Sequence, residues 1–229
     1  MFTYFVLFHA APAVQVGRDE LERFASIIAT TPHLARAHVY TPARAHDPMT
    51  ENPPPPALAA QLYFDEMGAL ESALAPDGHL QALARADTLP SLVGARVEQQ
   101  TMLVRPFAVP SPEFAPGVVP CTFLVEYPGV AQNLNEWLWY YLNHHPQLMA
   151  QQPAIREVEV CTRLDWCGFL PWPRVDRMQR NKVTFDSEAA LDAALASDMR
   201  KRMREDYYKF PPFTGHNIHY PMHTRILRG

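Results

Sequence analysis

Apolar positions along the chain alternate between two spacings, a strand-like period of two and a helix-like recurrence every three to four residues. Residues 2–9 are almost wholly apolar or aromatic and predict a buried strand, followed by an amphipathic helix over 18–31. A second strand over 34–41, a proline-rich excursion, a third strand over 58–65, a helix over 66–85 and a strand over 97–105 complete a unit. The order then begins again: strand 121–127, helix 133–151, strand 155–162, excursion, strand 180–186, helix 187–208 and strand 222–228. Asp65 and Asp186 follow the third strands, where an N-cap accepts backbone N–H bonds, and Asp186-Ser187 is the stronger signal.

The repetition is also written in the residues. Phe64 to Asp77 and Phe185 to Asp198 share 8 of 14 residues at a constant offset of 121. The same offset aligns Pro32–Val39 with Pro153–Val160, while Thr101–Arg105 aligns with Thr224–Arg228 and Phe5–His9 with Phe123–Tyr127 at similar offsets. A tandem duplication is expected, with copies at 1–105 and 121–229 joined by a proline-rich linker at 106–120. Strand, helix, strand, strand, helix, strand is the ferredoxin-like βαββαβ order. Each copy has helices for only one face of its sheet, so the other face needs a partner. The predicted fold is therefore α+β, two fused ferredoxin-like units forming a pseudo-dimeric barrel.

Composition narrows the function. The 229 residues carry 20 basic and 24 acidic side chains, a balance that disfavours a general nucleic-acid binder. No apolar run approaches the roughly 18 residues that span a bilayer. No basic lead-in precedes the apolar opening before Arg18, as a secretory leader would require. A cytoplasmic protein is expected. Cys121, Cys161 and Cys167 form neither a disulfide framework nor a zinc pattern. There is no Gly-rich phosphate loop and no serine-nucleophile elbow. All four tryptophans, six of nine tyrosines and 13 of the 20 basic residues lie in the second copy, which points to chemistry there.

The run Tyr140-Tyr141-Leu142-Asn143-His144-His145-Pro146, the Phe185-Asp186-Ser187 start of the next helix, and Asp206 with Phe210-Pro211-Pro212-Phe213 resemble the EthD-like family of dimeric α+β barrel proteins. The resemblance implies a small cavity between sheet and helices of the second copy. Relatives in the superfamily include polyketide cyclases, lactone isomerases, dehydratases and cofactor-free oxygenases. No cofactor is implied, although a haem held by a histidine occurs in the wider superfamily.

His145 is the leading acid–base candidate, since an unperturbed imidazole titrates near pH 6.5. The competing reading is a helix-terminal histidine just before a helix-breaking Pro146. Its neighbour His144 is expected on the exposed side. Tyr127 and His219 are the expected orienting groups. Tyr140, Glu159, Trp166, Trp172, Arg174, Tyr220 and His223 are candidate substrate contacts. Trp166 and Trp172 could form a lid with Arg174 on a carboxylate, or seal the other copy. His219 and His223 share a face of an extended segment, but no metal-ligand spacing is diagnostic. The run Arg200-Lys201-Arg202-Met203-Arg204 reads as a solvated helix end complementing the dipole.

Two function classes follow. One is cofactor-free isomerisation, cyclisation, dehydration or decarboxylation of a small aromatic, lactone or polyketide-like metabolite. The other is a non-catalytic module that binds a small ligand. Pairing of two chains into a homodimer is left open.

Overall fold

Phe2–His9 (β1) is apolar on both faces because it lies between two layers. Tyr4, Val6 and Phe8 face the helices, and Phe5 and Leu7 face the opposite way, as a period of two requires. The computed structural model describes residues 1–45 and 47–228. The remaining strands are Arg36–Pro42 (β2), Leu58–Phe64 (β3), Arg96–Phe107 (β4), Cys121–Tyr127 (β5), Ile155–Arg163 (β6), Gln179–Phe185 (β7) and Ile218–Arg228 (β8). They close into one barrel in the order β1-β3-β2-β8-β5-β7-β6-β4, every neighbour antiparallel. Closure leaves no free sheet edge. The seams between the two sets of four strands are β2 with β8 (Thr41 opposite His223) and β4 with β6 (Val104 opposite Cys161).

Helices cover the outside. Arg18–Ala29 (α1), Met67–Ala73 (α2) and a 3₁₀ turn at His79–Ala84 pack over the first four strands. Leu134–Met149 (α3), Glu188–Leu195 (α4) and Asp198–Tyr207 (α5) pack over the second four. No helix among the described residues is long and apolar enough to cross a membrane. The barrel interior is filled by side chains such as Phe5, Tyr40, Tyr63, Leu124 and Tyr220, as in other small barrels.

Three expectations need correction. The helix predicted over 66–85 stops at Ala73, because Pro76 and Gly78 follow; a Cβ on Gly78 would lie 2.5 Å from the Ala73 carbonyl oxygen. The helix predicted over 187–208 breaks at Ser197 into α4 and α5. Capping falls to Ser187, whose hydroxyl accepts from the Ala190 N–H, while Asp186 pairs with Arg156 and accepts from the Ala115 N–H. The N-cap of α2 is Glu66 rather than Asp65.

Pro146 does not end α3. Proline has no N–H to give the Leu142 carbonyl four residues back. The Gln147 side-chain amide donates there instead at 3.2 Å, and the helix runs on to Met149.

The two excursions cross over. Residues 43–45 and 47–55 lie on the second set of strands and helices, where Ala43 and Ala45 join its core. Residues 164–178 lie on the first, where Leu170, Trp166 and Trp172 join the opposite core.

Candidate active site

One face of α3 carries Trp137, Tyr141, His145 and Met149, each four residues on, and all are buried against the outer face of the second four strands. His145 sits on this stripe, and its Nδ1 lies 2.9 Å from Asp206 Oδ2 on α5. Tyr140 donates its hydroxyl to the other oxygen of Asp206 at 3.0 Å. His144, one position away, is exposed and stacks on Tyr140.

Burial pushes the His145 imidazole below its ordinary value, against the upward pull of the Asp206 carboxylate. Burial alone would raise Asp206, but hydrogen bonds from His145 and Tyr140 bring it below the usual carboxylate range. Both directions describe one state: a neutral imidazole donating Nδ1–H to an ionised carboxylate. No side chain among the described residues takes Nε2. That nitrogen is then the one free to accept a proton.

His145 lines a narrow cleft between α3, α5 and strands β5, β7 and β8, together with Tyr127 and His219. The three groups expected to act together therefore do meet. Burial raises the Tyr127 phenol well above 10, against the downward pull of the neighbouring Tyr141 and Asn217 side chains. Asn181 donates to the Tyr141 hydroxyl at 2.5 Å, which extends the chain of polar groups across the cleft floor. The Asn217 amide reaches His219 Nε2 at 3.2 Å.

His219 stacks on Phe123 with ring centroids 4.8 Å apart and planes 7° from parallel. Its Nδ1 lies 3.2 Å from Asn52 Oδ1, and its backbone N–H donates to the same oxygen at 2.8 Å. With Nε2 accepting from Asn217, the proton sits on Nδ1. Burial, with Arg200 nearby, lowers this imidazole to about 3. His219 is thus neutral at ordinary pH and poorly suited to act as a base.

The remaining contacts differ from expectation. Glu159 points into the barrel, away from the cleft, where it binds Arg36 at 2.5 Å, accepts from Tyr63 at 2.7 Å and lies 3.4 Å from Lys182. Tyr220, next to His219, takes the opposite face and also enters the barrel, 6.2 Å from the His9 ring. His223 lies on the same outer side as His219 but pairs with Glu188 at 3.3 Å and lines a different hollow. Trp166, Trp172 and Arg174 form no lid over this cleft. Trp172 packs edge-on against Phe8 at 5.2 Å, Trp166 against Tyr4 at 6.2 Å, and Arg174 lies 3.9 Å over the Trp166 ring. They fill the space between helices and strands on the first side. Tyr140 stands behind the cleft and reaches it only through Asp206.

Arg200 was expected in solvent, yet it is 6% exposed, paired with Asp47 of the crossing segment, and lines the cleft. Its helical spacing with Met203 and Tyr207, three and seven residues on, is the signal that places it on the inner face. Asn181, Asn217 and Asn52 carried no motif and emerge only from the fold, while Tyr141 stood in the Tyr140–Pro146 run without a role of its own.

The cleft holds about 30 Å³ of space, room for one or two waters, and half-buried Arg204 and Tyr207 are among the side chains that line it. Among the described residues no cluster of three or more His, Cys, Asp or Glu is arranged to hold a metal ion.

No family model matches the chain, and no curated protein matches it. Among solved structures, an anthrone oxidase-like protein matches with TM-score 0.64 and 14% identity, covering 99% of this chain and 92% of that one. A candidate monooxygenase from Lactobacillus acidophilus matches with TM-score 0.53 and 10% identity, covering 99% and 95%. An EthD-family protein from Bacillus halodurans matches only 48% of this chain, at 17% identity over 98% of its own, and its TM-score of 0.35 is too slight to argue from. The chain has the fold of the dimeric α+β barrel proteins, closed within one polypeptide.

Proposed function

We propose that the chain is a tandem fusion of two ferredoxin-like units of EthD-like type, and that its second unit carries out cofactor-free acid–base chemistry on a small aromatic, lactone or polyketide-like metabolite. The strand order supports the fusion, since β4-β1-β3-β2 and β8-β5-β7-β6 repeat the same sequence of positions. The observation that carries the chemistry is the buried His145–Asp206 pair opening on a cleft shared with Tyr127 and His219. Asp206 fixes the tautomer, so Nε2 takes a proton from an enolisable carbon or a phenol. The Tyr127 hydroxyl holds the oxygen on which charge develops, while His219, engaged at both ring nitrogens, keeps the cleft wall in place against Phe123.

Proton removal of this kind opens isomerisation, cyclisation, dehydration or decarboxylation, depending on the substrate. The anthrone oxidase-like and monooxygenase neighbours add oxidation by dioxygen as a branch to test. The first unit carries no counterpart, because at the offset of 121 Phe24 stands where His145 does.

The test is a thermal-shift screen of hydroxylated aromatics, lactones and polyketide-type compounds, with each hit assayed for turnover and for oxygen uptake. Stabilising ligands are expected to lose most of their effect on His145→Ala. A ligand whose stabilisation survives that substitution unchanged overturns the site. Stabilisation that depends on His145 without turnover of any hit would leave a ligand-binding module.

A further inference from the structure

The charges that face the cleft are all of one sign. Arg200 and Arg204 stand one turn apart on α5, and both line it; no carboxylate does among the described residues. Asp47 and Asp206 stand behind this lining, held by Arg200 and by His145 with Tyr140 respectively.

Arg200 is not fully satisfied. One terminal nitrogen meets Asp47, while its Nε is buried without any hydrogen-bond partner. An orphaned guanidinium N–H at 6% exposure costs free energy unless something accepts from it. Arg204 makes no ion pair among the described residues. Its Nε donates to the Tyr208 hydroxyl at 3.0 Å, and its guanidinium lies 5.2 Å over the Tyr207 ring and 5.0 Å over the Tyr208 ring. A half-buried, unpaired cation beside a buried open donor is a pair of groups suited to one anion, since guanidinium N–H groups match carboxylate oxygens in geometry.

We infer that the substrate is a planar aromatic or enolic anion whose carboxylate is held by Arg200 and Arg204, with its ring against Phe123 and its acidic proton directed to His145. The inference rests on the cleft being the site. The anchor explains why the cleft is so narrow as described: Arg204 and Tyr207 occupy the mouth and would turn onto the ligand as it enters. It also limits the substrate, because a neutral analogue of the same shape brings no charge to the two guanidinium groups.

The test uses salicylate and its neutral isostere salicylamide, titrated against the full chain by calorimetry and thermal shift. Salicylate is expected to bind at least tenfold more tightly than salicylamide. Arg204→Gln, at a half-buried position with no ion pair to break, is expected to cut salicylate affinity about tenfold and leave salicylamide unchanged. Because Arg200→Gln alone would strand Asp47, its role is read in the double variant Asp47→Asn with Arg200→Gln, where the same selective loss is expected. Equal binding of the two compounds, or salicylate binding that Arg204→Gln leaves intact, overturns the anion anchor. If His145→Gln still weakens both compounds, the cleft survives as the site and only the anchor falls. Failure of salicylate to bind at millimolar concentration overturns the anchor. Binding that neither His145→Gln nor Arg204→Gln alters removes the cleft reading as well.

Discussion

His145 and His219 are both buried, neutral imidazoles, yet their hydrogen bonds give them different work. His145 has an anionic partner on one nitrogen and, among the described residues, no side-chain partner on the other. His219 has neutral amides at both. Only the first is equipped to gain a proton and keep it. His145→Gln is accordingly expected to lower kcat/KM by about a hundredfold or more for whichever substrate the screen returns.

The acid limb of the rate profile belongs to the same residue and should fall below the ordinary histidine value of about 6.5. Asp206 pulls that imidazole upward, so Asp206→Asn should move the limb further toward acid while lowering the plateau. A limb that shifts toward alkali in Asp206→Asn would show that the carboxylate does not act on His145 as described.

His219 bears on stability instead. It is lowered to about 3 in the folded chain, against about 6.5 when unfolded. Between those values the unfolded chain binds a proton that the folded chain refuses, so stability falls as pH drops from 6.5 toward 3. His38, also lowered by burial, adds in the same direction. Urea unfolding at pH 7 and pH 5 should therefore show a smaller acid loss for His219→Asn than for the natural chain.

At the scale of elements, the two crossing segments differ in what they do to the space beneath them. Residues 164–178 put Trp166, Leu170 and Trp172 into the layer between helices and strands on the first side. Residues 47–55 bring Asp47 to Arg200 and Asn52 to His219, and leave the second side's cleft open. One side is plugged and the other is walled. Trp172→Ala is predicted to destabilise the fold by about 3 kcal/mol through the lost ring and the cavity left behind. It should leave ligand binding at the His145 cleft within about twofold, and a large change there would mean the two sides are coupled.

The strands were legible in sequence because their apolar runs and the internal repeat reinforce one another. The helices were less so. Nothing local announces the break at Ser197, and Gly78 ends its helix by a close backbone approach that only the folded chain reveals. The crossings were beyond periodicity altogether. Trp166 and Trp172 have the composition of a lid, and where such a loop lands is decided by the other half of the molecule. Arg200 was hidden by its basic neighbours, since Lys201 and Arg202 are indeed exposed on the same helix. His145, Tyr127 and His219 were placed together correctly because a helix stripe and two paired strands set their faces.

At the scale of the whole molecule, the barrel interior binds the two sets of strands with charge as well as with apolar contact. Lys182 is 1% exposed and lies 2.9 Å from His38 and from Glu157, and 3.4 Å from Glu159. Arg36 and Tyr63 of the first set meet the same Glu159. Buried charge of this kind is costly to desolvate and more costly to leave unpaired. Lys182→Met is predicted to cost about 3 kcal/mol, because it leaves the two glutamates to share the Arg36 guanidinium. Chemical denaturation should show the loss as one shifted transition, since both seams belong to a single closed sheet. Two separated transitions in the natural chain would show that the halves are energetically independent.

The central claim is that one buried histidine, held by Asp206, is poised as a base at a cleft in the second half of the chain. Long-range ¹⁵N–¹H NMR of histidine-labelled protein reads it directly. The account predicts that at pH 7 the His145 ring is neutral, with the proton on Nδ1 and Nε2 bare, and that it protonates only below the ordinary histidine range. A ring protonated at pH 7, or a proton found on Nε2 instead, would contradict it.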